Sequence, residues 1–233
     1  GDFTLQVDDV TLPEWPSSSD VGFISKYLTT GNQRSFRFVF LASGVVKLVI
    51  TTDGSYDPAL AYSSTTTLSL ADGATASIRA LRTGSDIKFY VDSGSGFSQL
   101  GDTVSGVSTT IFASSGKLDI GMGYDGTVEP LKGKISRARV WNTATPDSST
   151  PVLDVNFALA NKGATSFTAT SDQLVTIHTT AIADPAVIRG TTDGVLVNTP
   201  TFTVDAPPNY SNYALTFNGT DEYGDTEYVV PAV

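Results

Sequence analysis

Apolar and polar residues alternate with a period of two along most of the chain, and the clearest instance is the run from Pro130 to Asn142. Leu131, Gly133, Ile135, Ala138 and Val140 fall on one side of it, and the cations Lys132, Lys134, Arg137 and Arg139 fall on the other. The phase slips by one residue between Ser136 and Arg137, as a β-bulge would make it do. This pattern predicts an antiparallel strand with one buried and one solvated face.

The same reading predicts strands over Phe3–Leu12, Val21–Tyr27, Ser35–Leu41, Val45–Thr51, Thr66–Leu70, Ala76–Arg82, Ile87–Val91, Lys117–Gly121, Leu131–Trp141, Val152–Phe157, Thr165–Thr170 and Leu174–His178. Their spacing is that of a β-sandwich. Gly, Asn and Asp punctuate the connections, at Thr30-Gly-Asn, Asp53-Gly, Ala71-Asp-Gly, Thr83-Gly-Ser and Asp125-Gly, where positive φ or a side-chain-capped turn is wanted. No amphipathic helix is evident. Phe38, Phe40, Phe89 and Trp141 read as core by alternation, and Trp15 sits in a rigid Pro13-Glu-Trp-Pro16 loop. After about residue 188 the texture changes to Gly- and Pro-punctuated extended pieces, which read as a linker with one or two small strands.

Three phrases carry a family resemblance: Gly133-Lys-Ile-Ser-Arg-Ala-Arg-Val-Trp-Asn142, the hairpin Ile87-Lys-Phe-Tyr-Val-Asp92 with Gly96-Phe-Ser-Gln-Leu-Gly101, and Gly163-Ala-Thr-Ser-Phe-Thr168 before Leu174-Val-Thr-Ile-His178. Together they resemble the laminin-G-like, concanavalin-type jelly roll found in tailed-bacteriophage structural proteins. Where that family's closing phrase usually has Trp, this chain has Leu174 and Val175. Tyr213-Ala-Leu-Thr-Phe-Asn-Gly-Thr-Asp-Glu-Tyr223 resembles the phrase that opens such domains, although here it lies near the chain's end. The resemblance implies an all-β antiparallel jelly-roll sandwich over residues 1–188, an extended linker over 189–212, and a C-terminal strand segment over 213–233. That segment is expected to pair in the sheet system of Phe3–Leu12, completing its own or a neighbouring sandwich.

Composition narrows the function. The net charge of −10 argues against nucleic acid, whose phosphates call for clustered Lys and Arg. The absence of cysteine removes disulfides and thiolate metal sites. No apolar stretch is long enough to span a membrane. No secretory signal opens the sequence, and Gly1 reads as a processed or trimmed start.

Candidate chemistry is sparse. The single His178 has no nucleophile or metal-ligand companions and reads as structural. The acidic pairs Asp8-Asp9 and Asp221-Glu222 read as strand-edge or loop charges, without the one-strand carboxylate pattern of glycosidases in this fold. Calcium, a hard cation that wants oxygen ligands, would look first to Asp125 and Glu129 and then to Asp53 and Asp57, but no dense acidic loop surrounds them, so no cofactor is expected. Aromatic rings in loops offer platforms for sugar faces, and Trp15, Tyr56, Tyr62 and Tyr124 form the candidate carbohydrate set.

The expectation is a non-catalytic structural or adhesive module of a tailed-phage virion surface, in a capsid decoration, fibre or tail component. It would assemble as a homo-oligomer or in a lattice with other virion proteins, and could touch a host surface glycan. The alternative is a carbohydrate-binding module of a bacterial secreted or surface protein.

Overall fold

The computed structural model describes residues 1–108, 110–159 and 166–170, together with the backbone of five further short strands between 176 and 225. The protein is all-β. Its strands are β1 (Phe3–Thr11), β2 (Val21–Leu28), β3 (Gln33–Phe40), β4 (Val46–Ile50), β5 (Ala61–Ser63), β6 (Thr75–Thr83), β7 (Asp86–Asp92), β8 (Ser98–Gln99), β9 (Val104–Ser105), β10 (Asp119–Ile120), β11 (Arg137–Trp141), β12 (Leu153–Asn156), β13 (Ser166–Thr168), β14 (Thr176–His178), β15 (Val195–Val197), β16 (Thr201–Thr203), β17 (Ala214–Thr216) and β18 (Tyr223–Asp225). Among the described residues, no helix is long and apolar enough to cross a membrane.

Two antiparallel sheets form the jelly-roll sandwich. A seven-stranded sheet runs β12-β11-β1-β6-β7-β8, with β9 also on β7, and a five-stranded sheet runs β10-β2-β3-β4-β5. Their inner faces meet in one core. Leu5, Val7, Ile78, Ala80, Ile87, Phe89, Ala138 and Val155 come from the first sheet, and Phe23, Ile24, Phe38, Phe40, Leu48 and Ile50 from the second. Phe23 packs edge-on to Phe38 with ring centroids 5.3 Å apart, the tilted geometry that aromatic quadrupoles favour.

The chain divides into two compact units, one of Gly1–Ala160 with Ser166–Thr179 and one of Asn161–Thr165 with Thr180–Val233. In the second, β15 pairs β18 and β16 pairs β17. The described parts of the segment expected to join the sheet of β1, Ala214–Thr216 and Tyr223–Asp225, pair with Thr201–Thr203 and Val195–Val197. Both sides of β1 are occupied, by β6 and β11.

The phase slip at Ser136–Arg137 is present, and it has a counterpart. On β1 the core positions Val7 and Val10 are three apart, just as Ile135 and Ala138 are. Asp8 pairs with Arg137 and Thr11 bridges Lys134, so β1 and the β11 segment slip together and keep their mutual register. The mismatch appears against β6, where the register shifts between Val7 and Val10 while Ala76, Ile78 and Ala80 keep the regular alternation. The bulge is thus on β1. Asp9 takes φ +50°, and its N–H donates to Ser77 Oγ on β6 (3.2 Å).

Two strand expectations and one core assignment need correction. Thr66–Leu70 is not a strand; the edge strand of the five-stranded sheet is Ala61–Ser63. Leu131–Trp141 shortens to Arg137–Trp141, with an isolated bridge at Lys134. Trp141 is buried but lies outside the core. Its register partner is Thr4, on the opposite face from Leu5 and Val140, and its Nε1 donates to the Ser149 carbonyl at 3.0 Å. The loop after β11 covers it.

Candidate functional site

The outer face of the five-stranded sheet gathers groups that the core does not use. Ser25 on β2 and Arg37 on β3 are register partners and therefore share a face, as do Tyr27 and Arg34. Over this face folds the segment after β10. Gly22 N–H donates to the Glu129 carbonyl (2.8 Å), and Asp125 N–H donates to the Tyr27 carbonyl (3.1 Å). The close approach depends on glycine: a Cβ on Gly22 would lie 2.0 Å from the Met122 carbonyl carbon, and one on Gly123 would lie 2.0 Å from Glu129 Oε2.

Arg37 is the hub. Its Nη1 donates to Glu129 Oε1 at 3.1 Å, and its guanidinium lies 5.8 Å from the Tyr27 ring centre and 5.3 Å from that of Tyr124. The two tyrosine rings meet edge-on, 6.3 Å apart. Arg34 also lies over the Tyr27 ring, 5.8 Å from its centre, and its Nη1 donates to Asn32 Oδ1 and the Gly54 carbonyl; among the described residues it has no carboxylate partner. Of four buried side-chain polar atoms without a hydrogen-bond partner among the described residues, three lie here: Ser25 Oγ, Arg37 Nε and Glu129 Oε2. Buried polar groups are nearly always satisfied, so three together mark a place where stability alone does not explain the residues.

Electrostatics agrees. Burial pushes the Glu129 carboxyl above its ordinary range, and the opposing pull of Arg37 does not cancel it. Burial likewise raises the Tyr27 phenol against the lowering influence of Arg37 and Arg34, with Tyr56 and Tyr124 adding to the rise.

The expected aromatics separate into two groups. Tyr124 belongs to the site, and Tyr56, 54% exposed, lies on the adjoining loop whose Gly54 carbonyl holds Arg34. Trp15 does not belong. Its ring is buried against Phe40 and Nε1 donates to the Ala74 carbonyl, so the loop indole is a core residue with no face for a ligand. Tyr62 is turned to the inner side beside Leu48, and its hydroxyl accepts from Ser108 N–H. The cation candidates are committed elsewhere: Asp125 accepts from Thr29 N–H and Oγ1, both at 2.6 Å, Glu129 is bound to Arg37, Asp53 accepts from Ser55 N–H, and Asp57 caps Ala59 N–H. Among the described residues no group of three or more His, Cys, Asp or Glu could hold a metal ion. The His178 side chain lies outside the described residues.

Sequence reading missed Arg34 and Arg37, which strict alternation in Arg34-Ser-Phe-Arg-Phe-Val-Phe40 would put on opposite faces, Arg34 on that of Phe36, Phe38 and Phe40. The available signal was their three-residue spacing, which a regular strand cannot put on one face: the register shifts where Lys26 pairs Phe36 and Tyr27 pairs Arg34, leaving Ser35 as the extra residue that turns Arg34 outward.

No family model matches the chain, and no curated protein matches it. Solved structures with a similar fold include a heptameric pentraxin from Limulus polyphemus (17% identity, TM-score 0.45, 61% of this chain and 64% of that one). They also include the carbohydrate-binding module of a Ruminococcus gnavus sialidase bound to α2,3-sialyllactose (14%, 0.43, 63% and 78%). A third is tailspike protein 2 of an Escherichia coli O157:H7 bacteriophage (15%, 0.41, 60% and 19%). At these identities and scores no ligand or assembly carries over to this chain.

Proposed function

We propose that the protein is a non-catalytic adhesive module of a tailed-phage virion surface, and that it contacts a saccharide through Arg34, Arg37, Tyr124 and Tyr56. The observation that carries the saccharide contact is the coincidence, on one sheet face, of tyrosine rings and a cation without a carboxylate partner among the described residues. Sugar hydroxyls both donate and accept, and rings stack on the apolar faces of pyranoses. The phage setting rests on the resemblance of the strand phrases, and assembly as a homo-oligomer or lattice belongs to the same reading.

Calorimetric titration with host surface polysaccharide tests the site. Tyr124→Ala and Arg34→Ala should each weaken binding at least about tenfold, the equivalent of ~1.4 kcal/mol, with melting temperature nearly unchanged. Binding that survives both substitutions overturns the site, and chain cleavage of the polysaccharide by the purified protein overturns the non-catalytic reading. The protein should co-purify with intact particles at fixed copy number. Recovery only as a free secreted protein that still binds saccharide selects instead a bacterial carbohydrate-binding module.

A further inference from the structure

The bulge on β1 opens a second polar depression, on the outer face of the seven-stranded sheet. It has a volume of about 380 Å³ and is lined by Asp8, Asp9, Ser77, Ser136, Arg137, Arg139 and Asn156. We infer that this depression is a binding site for a small uncharged polyol, one hexose unit in size, separate from the Arg37 site and on the other sheet.

Charge selects the ligand class. Arg137 engages Asp154 through Nε and Nη2, and Arg139 engages Asp8 through the same pair of nitrogens. Both cations are therefore already neutralised, and Asp9 adds a further negative charge, so an anion gains nothing by entering. A cation carries no acceptor for the arginine Nη1 and Asn156 Nδ2 donors of the lining. A neutral hydroxylated ligand fits both. Among the described residues, the Nη1 groups of Arg137 and Arg139 have no acceptor, and Asn156 uses only Oδ1, which accepts from Ala158 N–H at 3.0 Å, leaving its Nδ2 to donate. Asp9 uses one carboxylate oxygen, Oδ2, for Ser136 Oγ at 2.7 Å. The lining thus offers donors and an acceptor together, which adjacent hydroxyls match.

The bulge makes this possible. A regular β1 would alternate Asp9 to the core face; the extra residue holds its carboxylate on the wet side, tied to Ser136, with its N–H on Ser77. The lining offers no aromatic ring, so binding rests on hydrogen bonds alone and should be weak, roughly millimolar.

Titration of D-glucose and D-galactose into the isotope-labelled full chain tests this by amide and arginine side-chain NMR, with D-glucuronate as the charged comparator. A neutral hexose should give saturable shifts at Asp9, Ser77, Ser136 and Asn156 and leave Tyr124 and Glu129 unmoved. Asn156→Asp keeps the Ala158 cap and removes the Nδ2 donor; it should weaken binding at least about fivefold without lowering the melting temperature, and Arg137→Lys should act in the same direction. Tyr124→Ala should not affect it, which separates failure here from failure of the Arg37 site. No saturable shift by about 100 mM hexose, equal shifts in Asn156→Asp, or preferential binding of glucuronate would each overturn the assignment.

Discussion

Both outer sheet faces carry outward-pointing arginines, and the two sheets treat them differently. On the seven-stranded sheet each is matched: Arg79 with Asp147, Arg137 with Asp154 and Arg139 with Asp8. Arg79 also donates from Nε to Gln6 (2.7 Å) and lies 4.0 Å from the Phe97 ring centre. On the five-stranded sheet Arg37 leaves Nε unsatisfied, its partner Glu129 leaves Oε2 unsatisfied, and Arg34 has no carboxylate among the described residues. Matched charges rigidify a surface, whereas an unsatisfied buried group costs stability.

The contrast breaks most severely at the residues that hold each face shut. Trp141→Ala removes the indole buried beneath the loop after β11, and should cost about 3–5 kcal/mol in chemical denaturation. A loss below about 1 kcal/mol would show that the loop, not the ring, organises that face. Gly22→Ala places a methyl against the Met122 backbone, and should cost about 2–3 kcal/mol while raising hydrogen exchange over residues 121–131 and sparing the seven-stranded sheet. Uniform protection in this variant would mean the segment does not depend on the close approach.

The faces should also respond to acid in opposite senses. Burial pushes Asp154 up, but the hydrogen bond and charge of Arg137, with Thr170 and Arg139, outweigh it and hold its pKa below the ordinary value. Its stabilisation is therefore present above the unfolded pKa of about 3.9 and is lost as pH falls through the native pKa. Asp154→Asn should cost about 1 kcal/mol at pH 7, a deficit that closes on acidification. Glu129 is raised, so its contribution is present below about 4.3 and is lost as pH rises through the native value. Glu129→Gln should accordingly gain on the native protein between pH 4 and pH 7. Parallel pH curves for the two variants would remove the distinction between the faces. The smallest effect on stability is expected from Tyr124→Ala, about 0.5–1 kcal/mol through its lost contacts with Tyr27 and Arg37, with its main consequence in saccharide binding.

Strand alternation made the sandwich legible: Leu5 and Val7, Phe38 and Phe40, and Ile87 and Phe89 all face the core as their period implies. The slip at Ser136–Arg137 was legible too, and the three-residue spacing of Val7 and Val10 around the Asp8-Asp9 doublet held the same information on the partner strand. Trp15 was not legible, because a loop residue has no period and its burial against Phe40 is decided by chain closure. The strand at Ala61–Ser63 was hidden because three residues are too few to show a period. The Arg37 site escaped because it forms across β2, β3 and the segment after β10, and only register brings Ser25, Arg37 and Glu129 together.

The position of β1 in the middle of its sheet governs the order of events during synthesis. Phe3 pairs with Arg82 and Thr4 with Trp141, so β1 cannot acquire its second neighbour until residue 141 has left the ribosome. At roughly 5–20 residues per second, several seconds pass between the emergence of Arg82 and that of Trp141. Through that interval one hydrogen-bonding edge of β1 stands open, and such non-local pairing is intrinsically slow. The charged doublet Asp8-Asp9 lies on that strand, and charged residues are among the devices that discourage an open edge from pairing with another chain.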